Sequence, residues 1–245
     1  MPRARRTESI ETSTRGDATA VQVVASLRAA QSDIELAKVR KRLAPNEDAI
    51  GMRMRDLFDV AKANTDLPLA EVVRLLEHPA YEPRMAAMCI LDFKARRRVD
   101  DSARQQLYDL YLDRHDRNTT WDMDDRAAPR VVGGYLAGRD LMPLRTLAAA
   151  PEPLRRRTAT TATLYFVRDG SDDDLAEGFS IAALLAADPD PVVHNAVGIF
   201  AKHAGTRDPD ALQQFLAAHA ASMPRPALRL AIEKLDADDR ARYLG

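Results

Sequence analysis

The 245-residue chain has one cysteine, Cys89, one tryptophan, Trp121, and only 5% aromatic residues. A single thiol excludes a disulfide framework and any multi-thiolate zinc site. No apolar run approaches the ~20 residues that a membrane span needs. The opening stretch MPRARRTESIETSTRGDA lacks an apolar core, so it does not read as a secretory signal, and a cytoplasmic protein is expected. Neither sign of charge is in excess: 36 Lys+Arg face 37 Asp+Glu, for a net charge of −1. A polyanionic partner would therefore require cations gathered on one surface. What is present is ordinary for a folded protein, with 46% hydrophobic and 30% charged residues. At roughly 150 residues per domain the chain makes one large domain or two small ones. Alanine supplies 42 residues, which favours helix over sheet. Arginine supplies 30 of the 36 cations. That bias has a compositional reading, a GC-rich genome, and a chemical one, phosphate recognition by the guanidinium fork.

Residues 1–18 are polar, carry Arg3, Arg5 and Arg6, and read as a mobile tail ahead of a helical domain over 19–245. From there the helical period recurs, as in Val21, Val24, Leu27 and in Leu36, Val39, Leu43. Asp66 is expected to cap a helix with Pro68 in its first turn, and Ser102 with Gln105 reads as a capping box. Segments 140–150, 153–168, 173–187, 190–204, 208–221, 225–234 and 237–243 each read as one helix, with Pro151, Pro189, Pro209 and Pro224 near their starts. Asp169-Gly170 reads as a helix stop, and no stretch alternates with a period of two. About fourteen helices with short links, pairing every 35–40 residues or so, predict an all-α solenoid of HEAT-like repeats with a concave face.

From Thr120 onward an ordered set of motifs appears. Trp121-Asp122-Met123-Asp124-Asp125 is followed by VVGGYL (131–136), Arg155-Arg156-Arg157-Thr158-Ala159, Leu164-Tyr165-Phe166, HNAVGIF (194–200), MPRPALRLAIEKL (223–235) and RARYLG (240–245). This series, with GMRMRDLFDVAK (51–62) upstream, resembles the AlkD-type DNA alkylation repair family over roughly residues 20–245. The resemblance implies a HEAT-like solenoid clasping duplex DNA in a basic concave groove. It implies hydrolytic release of N3-alkyladenine and N7-alkylguanine without flipping the base into a pocket, and hence a nucleoid-associated monomer working without metal or cofactor.

Asp125 matches the family's catalytic carboxylate, and its spacing from Trp121 puts both on one helix face. Within the acidic run, composition alone does not choose among Asp122, Asp124 and Asp125; the motif does. Trp121 reads either as a core aromatic or as a π face for a cationic sugar or base. Arg157 matches the arginine that grips the phosphate beside the lesion. Arg155 and Arg156 flank it and point elsewhere, so only one or two of the three can reach one phosphate. At Ile199 the chain departs from the family, many of whose members carry a second tryptophan there. This motivates an alternative, a catalytically silent DNA-structure-binding relative; a third reading is a helical-repeat protein scaffold. Arg84, Lys94 and Lys202 are expected to contact DNA, together with some of Arg96, Arg97, Arg98 and Arg229. The five histidines show no metal-ligand spacing, Gly133-Gly134 follows no strand, and Cys89 sits in an apolar helix as a structural thiol.

Overall fold

The computed structural model describes residues 18–244; the arginines of the predicted tail lie outside the described residues. Among the described residues there is no strand, only an isolated bridge between Asp48 and Ala80. The helices are α1 (Ala20–Ala29), α2 (Asp33–Val39), α3 (Met54–Ala63), α4 (Leu69–Leu76), α5 (Tyr81–Ala95), α6 (Asp101–Asp113), α7 (Trp121–Ala128), α8 (Gly134–Leu136), α9 (Met142–Ala148), α10 (Pro153–Ala162), α11 (Leu164–Asp169), α12 (Asp172–Leu184), α13 (Pro191–Arg207), α14 (Pro209–His219), α15 (Arg225–Ala231) and α16 (Ala237–Leu244). Fourteen of them have seven or more residues. None is long and apolar enough to cross a membrane.

Local chemistry explains most helix starts. Thr19 and Gln22 form a reciprocal capping box at α1, as do Ser171 and Asp174 at α12. Asp190 and Asp208 accept from the first free amides of α13 and α14, whose first residues are prolines. Two predicted caps are corrected. α6 is capped by Asp100, whose carboxylate accepts from Ala103 N at 2.7 Å, rather than by Ser102. Asp66 lies outside α4, whose N-cap is Pro68, and pairs with Arg97 instead. The segment expected as one helix over 153–168 breaks at Thr163, whose hydroxyl donates to the Thr160 carbonyl at 2.6 Å and so competes with the helical ladder.

Helices α3, α5, α7, α10, α13 and α15 pack side by side as one row. A second row backs it: α4 lies on α5, α9 on α10, and α12 and α14 on α13. This two-row all-helical stack is an α-solenoid-like fold. Its core is continuous, and α5 is its centre, with every residue from Tyr81 to Asp92 buried. Cys89 lies there fully buried, and burial pushes its thiol up to about 12, so it is no nucleophile.

α7 continues into a wide π-helical turn over Pro129–Gly133, beginning where a proline cannot donate to the ladder. At its end Gly133 lies against the Ala162 carbonyl of α10, in space that a Cβ would occupy. Gly133 thus serves close helix packing and sets the distance between α7 and α10.

Candidate active site

The burial pattern of α7 is a clean helical stripe. Met123, Asp124, Ala127 and Ala128 are buried, Trp121 is exposed, and Asp122, Asp125, Arg126, Pro129 and Arg130 are half-buried. Trp121 is 50% exposed, so it is not a core aromatic. Asp125 stands one turn further along the same stripe. From α10, Arg157 reaches across and donates through Nε to Asp125 Oδ1 at 2.9 Å and through Nη2 to Oδ2 at 2.7 Å. Its Nη1 donates to the Val192 carbonyl at the start of α13. The guanidinium carbon is 5.4 Å from the centre of the Trp121 ring, and Thr161 Oγ1 donates to Asp125 Oδ1 at 3.4 Å. One bidentate arginine therefore ties three helices of the row together and fixes the Asp125 carboxylate beside the indole.

A cavity of about 260 Å³ opens beside this group, bounded by Arg42, Thr120, Trp121, Leu154, Asp190 and Val192. The N-terminal ends of α7, α10 and α13 all meet there. Each end brings the positive pole of its helix, a favourable setting for an anionic backbone.

The tertiary structure separates the three acids of the run. Asp122 is occupied: Tyr81 donates to its Oδ2 at 2.7 Å, Thr120 to its Oδ1 at 2.6 Å, and Arg42 pairs with it as well. Burial opposes its charge, but these three donors prevail and hold the carboxyl below its ordinary range. Asp124 is fully buried in a polar knot on the other side of the helix. Its Oδ1 accepts from Asn118 Nδ2 at 2.6 Å and from the Tyr111 hydroxyl at 3.1 Å. Thr158 Oγ1 of α10 lies 2.9 Å from both the Tyr111 hydroxyl and His115 Nε2. Of the three acids, Asp125 is the one that presents its charge beside Trp121.

The knot has a measurable pH signature. Burial pushes the Asp124 carboxyl up to about 7 against the pull of Asn118, Tyr111 and Arg157. Burial, then the Arg155 charge, pulls His115 down to about 4. Between about 4 and 7 folded Asp124 keeps a proton that the unfolded chain has lost, so its contribution to stability is lost as pH rises through that window. His115 acts oppositely between about 4 and 6.5, because there the unfolded chain binds the extra proton. The two slopes oppose each other between about 4 and 6.5; above that the His115 slope fades while Asp124 continues to titrate through about 7. Wild-type protein should lose roughly 1 kcal/mol between pH 6.5 and 8 through this group, and Asp124→Asn should lose less. Urea unfolding of both proteins at the two pH values checks this; parallel curves would refute it.

The cations expected to bind DNA are mostly engaged within the protein. Arg84 is buried, pairs with Glu47 and donates to the Pro79 carbonyl, so it is a structural strut rather than a phosphate contact. Arg156 holds Asp188 and the Ala150 and Pro151 carbonyls. Lys202 pairs with Glu233 at 3.2 Å. Arg157 itself is 3% exposed and grips Asp125, in place of the free phosphate hook expected from the motif. Lys94 is half-buried beside Leu69 and Arg97, and burial lowers its pKa. Arg155 is partly exposed, 3.8 Å from Glu152, and Ile199 is half-buried on α13. Arg98 and Arg229 are exposed. Sequence reasoning missed Arg42, Tyr81 and the Val192 carbonyl; no local pattern marks them, since each reaches the site from a distant helix.

Comparison with known proteins gives a family and a fold. A model of the DNA alkylation repair enzyme family matches residues 23–235. No curated protein matches the chain. Among solved structures, a protein of Enterococcus faecalis described as a predicted DNA alkylation repair enzyme is similar in fold. It has a TM-score of 0.62 and 13% identity, covering 84% of this chain and 97% of that one. The family match spans all the helices that build the Trp121–Asp125–Arg157 group, and the chain belongs to the DNA alkylation repair enzyme family, with a role in DNA repair.

Proposed function

We propose that this protein is a DNA N-glycosylase that releases cationic N3-alkyladenine and N7-alkylguanine from duplex DNA. The observation that carries the reading is the pairing of Trp121 and Asp125 on the open stripe of α7, held by Arg157 at a cavity where three helix N-termini meet. A purine alkylated on a ring nitrogen already bears positive charge and needs no protonation to leave. As its bond to C1′ breaks, the electron pair returns to the base and neutralises it, and positive charge grows on the sugar. The fixed Asp125 carboxylate stabilises that oxocarbenium-like state and orients the water that adds to C1′. The water's spare proton passes to solvent. Trp121 offers its π face to the same cationic centre, and Arg157 positions Asp125. The phosphates run over the helix N-termini, and Arg155 is their contact beside the lesion. The protein acts as a monomer.

The test is base release from methylated duplex DNA, read by chromatography of the free purines. Wild-type protein should liberate N3-methyladenine or N7-methylguanine. Steep salt-dependent binding without release would replace this reading with a silent DNA-structure-binding relative, the alternative that Ile199 favours. No affinity for DNA at moderate salt would leave a protein-binding scaffold. A cation–π contact is worth about 0.5–2 kcal/mol, so Trp121→Leu should slow release roughly tenfold. An unchanged rate would remove Trp121 from the site.

A further inference from the structure

Most buried or half-buried cations in this protein are matched by one carboxylate each: Arg84 by Glu47, Arg156 by Asp188, Arg157 by Asp125, Lys202 by Glu233. Asp92 departs from that pattern. On α5 and fully buried, it is shared by three guanidinium groups. Arg96 Nη2 and Arg126 Nη2 each lie 2.8 Å from its Oδ2, and Arg130 Nη1 lies 3.6 Å from its Oδ1. Three positive charges on one negative leave a surplus of two.

The three arginines are not equally committed. Arg96 donates to Asp92 through Nε as well, at 3.0 Å. Arg126 is clamped between the rings of Phe58 and Phe93, its guanidinium carbon 4.7 Å from each centre. Arg130 is the loose one, because 3.6 Å is beyond hydrogen-bond length. Its side chain is 28% exposed. On its far side a cavity of about 150 Å³ is bounded by Leu164, Tyr165, Arg168 and Asp169. Arg168, 69% exposed, pairs only with its chain neighbour Asp169. Burial, then repulsion from Arg96 and also from Arg168 and Arg126, lowers the Arg130 pKa, as expected of a cation short of an anion.

Arg126 and Arg130 lie at the opposite margin of the half-buried face from Trp121 and Asp125. Arg130 lies in the π-helical turn that follows α7, further along and turned well round from Asp125.

We propose that Arg130, backed by Arg168 and facing the Tyr165 cavity, is a phosphate seat for the DNA backbone. The inference rests on the DNA-processing reading above and supplies the backbone grip that the paired Arg84, Arg156, Arg157 and Lys202 do not offer. A phosphate there neutralises the surplus left by Asp92. The guanidinium fork is suited to it, offering two parallel donors to two phosphate oxygens.

The test is the salt dependence of binding to a labelled 20-base-pair duplex, measured for wild type, Arg130→Gln and Arg168→Gln from 50 to 300 mM NaCl. Arg130→Gln should make the slope of log K against log salt shallower by about 0.9, the share of one phosphate, with binding several-fold weaker at 150 mM salt. Arg130→Lys should restore the slope. Arg168 is on the surface, so Arg168→Gln leaves the fold intact and should flatten the slope as well. Wild-type slopes retained by both glutamine variants overturn the seat while leaving the DNA reading standing. Failure of the wild type itself to bind DNA overturns both.

Discussion

Asp125→Asn should slow base release about 100- to 1,000-fold while leaving affinity for undamaged DNA within about threefold of wild type. A full charge about 4 Å from the sugar, at an effective dielectric of about 20, attracts a cation there by ~4 kcal/mol, or roughly three orders of magnitude in rate. Arg157 lies against the same carboxylate and reduces the net field, which sets the lower end of the range. Asparagine keeps the shape and one acceptor for Arg157 but carries no charge. The effect therefore falls on the transition state, where the sugar is cationic, and spares the ground state, where it is not. Losing the counter-charge also frees Arg157, so binding to the anionic backbone should tighten slightly. Single-turnover release of methylated purines, alongside fluorescence anisotropy on the same duplex, separates the two quantities. Release at the wild-type rate would exclude Asp125 as the charge that matters. An equal loss of rate and binding would make it a structural residue.

The second large effect is expected far from any charge. Gly133→Ala should destabilise the protein by about 3 kcal/mol, the upper end of ordinary overpacking. The added Cβ overlaps the Ala162 carbonyl oxygen and crowds the Tyr165 Cβ, and the first of these is helix backbone with no rotamer to turn. Relief requires α7 and α10 to separate. For a chain of this size such a loss lowers the melting temperature by roughly 6–12 °C. Because α7 carries Asp125 and α10 carries Arg157, the variant should also release base more slowly at temperatures where it remains folded. Gly138→Ala offers a contrast, since no atom lies within 4 Å of a Cβ there and the cost is backbone strain alone, at a φ of 72°. Melting curves that do not distinguish Gly133→Ala from wild type would show that the two helices can part freely.

Much of this molecule was legible in the sequence for a simple reason: a helix is written in contacts three and four residues apart. The period, the alanine content and the proline positions gave the all-helical architecture and most helix starts, and the motif placed Trp121 and Asp125 on one stripe. Some local readings failed to other local contacts, as at Asp100 and Thr163, and others failed to longer ones. Asp66 looked like a cap, yet its carboxylate belongs to Arg97, 31 residues away. The run of Asp122, Asp124 and Asp125 was ambiguous because adjacent letters carry no direction until α7 is packed between α5 and α10.

The cations mark that boundary most clearly. Composition showed an arginine-rich chain with no net charge, and the sequence determined which residues are cationic and which helix bears them. Only the folded structure decided which of them are free. Arg84, Arg156, Arg157 and Lys202 are each cancelled by an acid 31 to 37 residues distant, whereas Arg130 is left over because Asp92 already serves Arg96 and Arg126. Ion pairing acts through space over a few ångströms, and chain separation of that length says nothing about such distances until the helices stack.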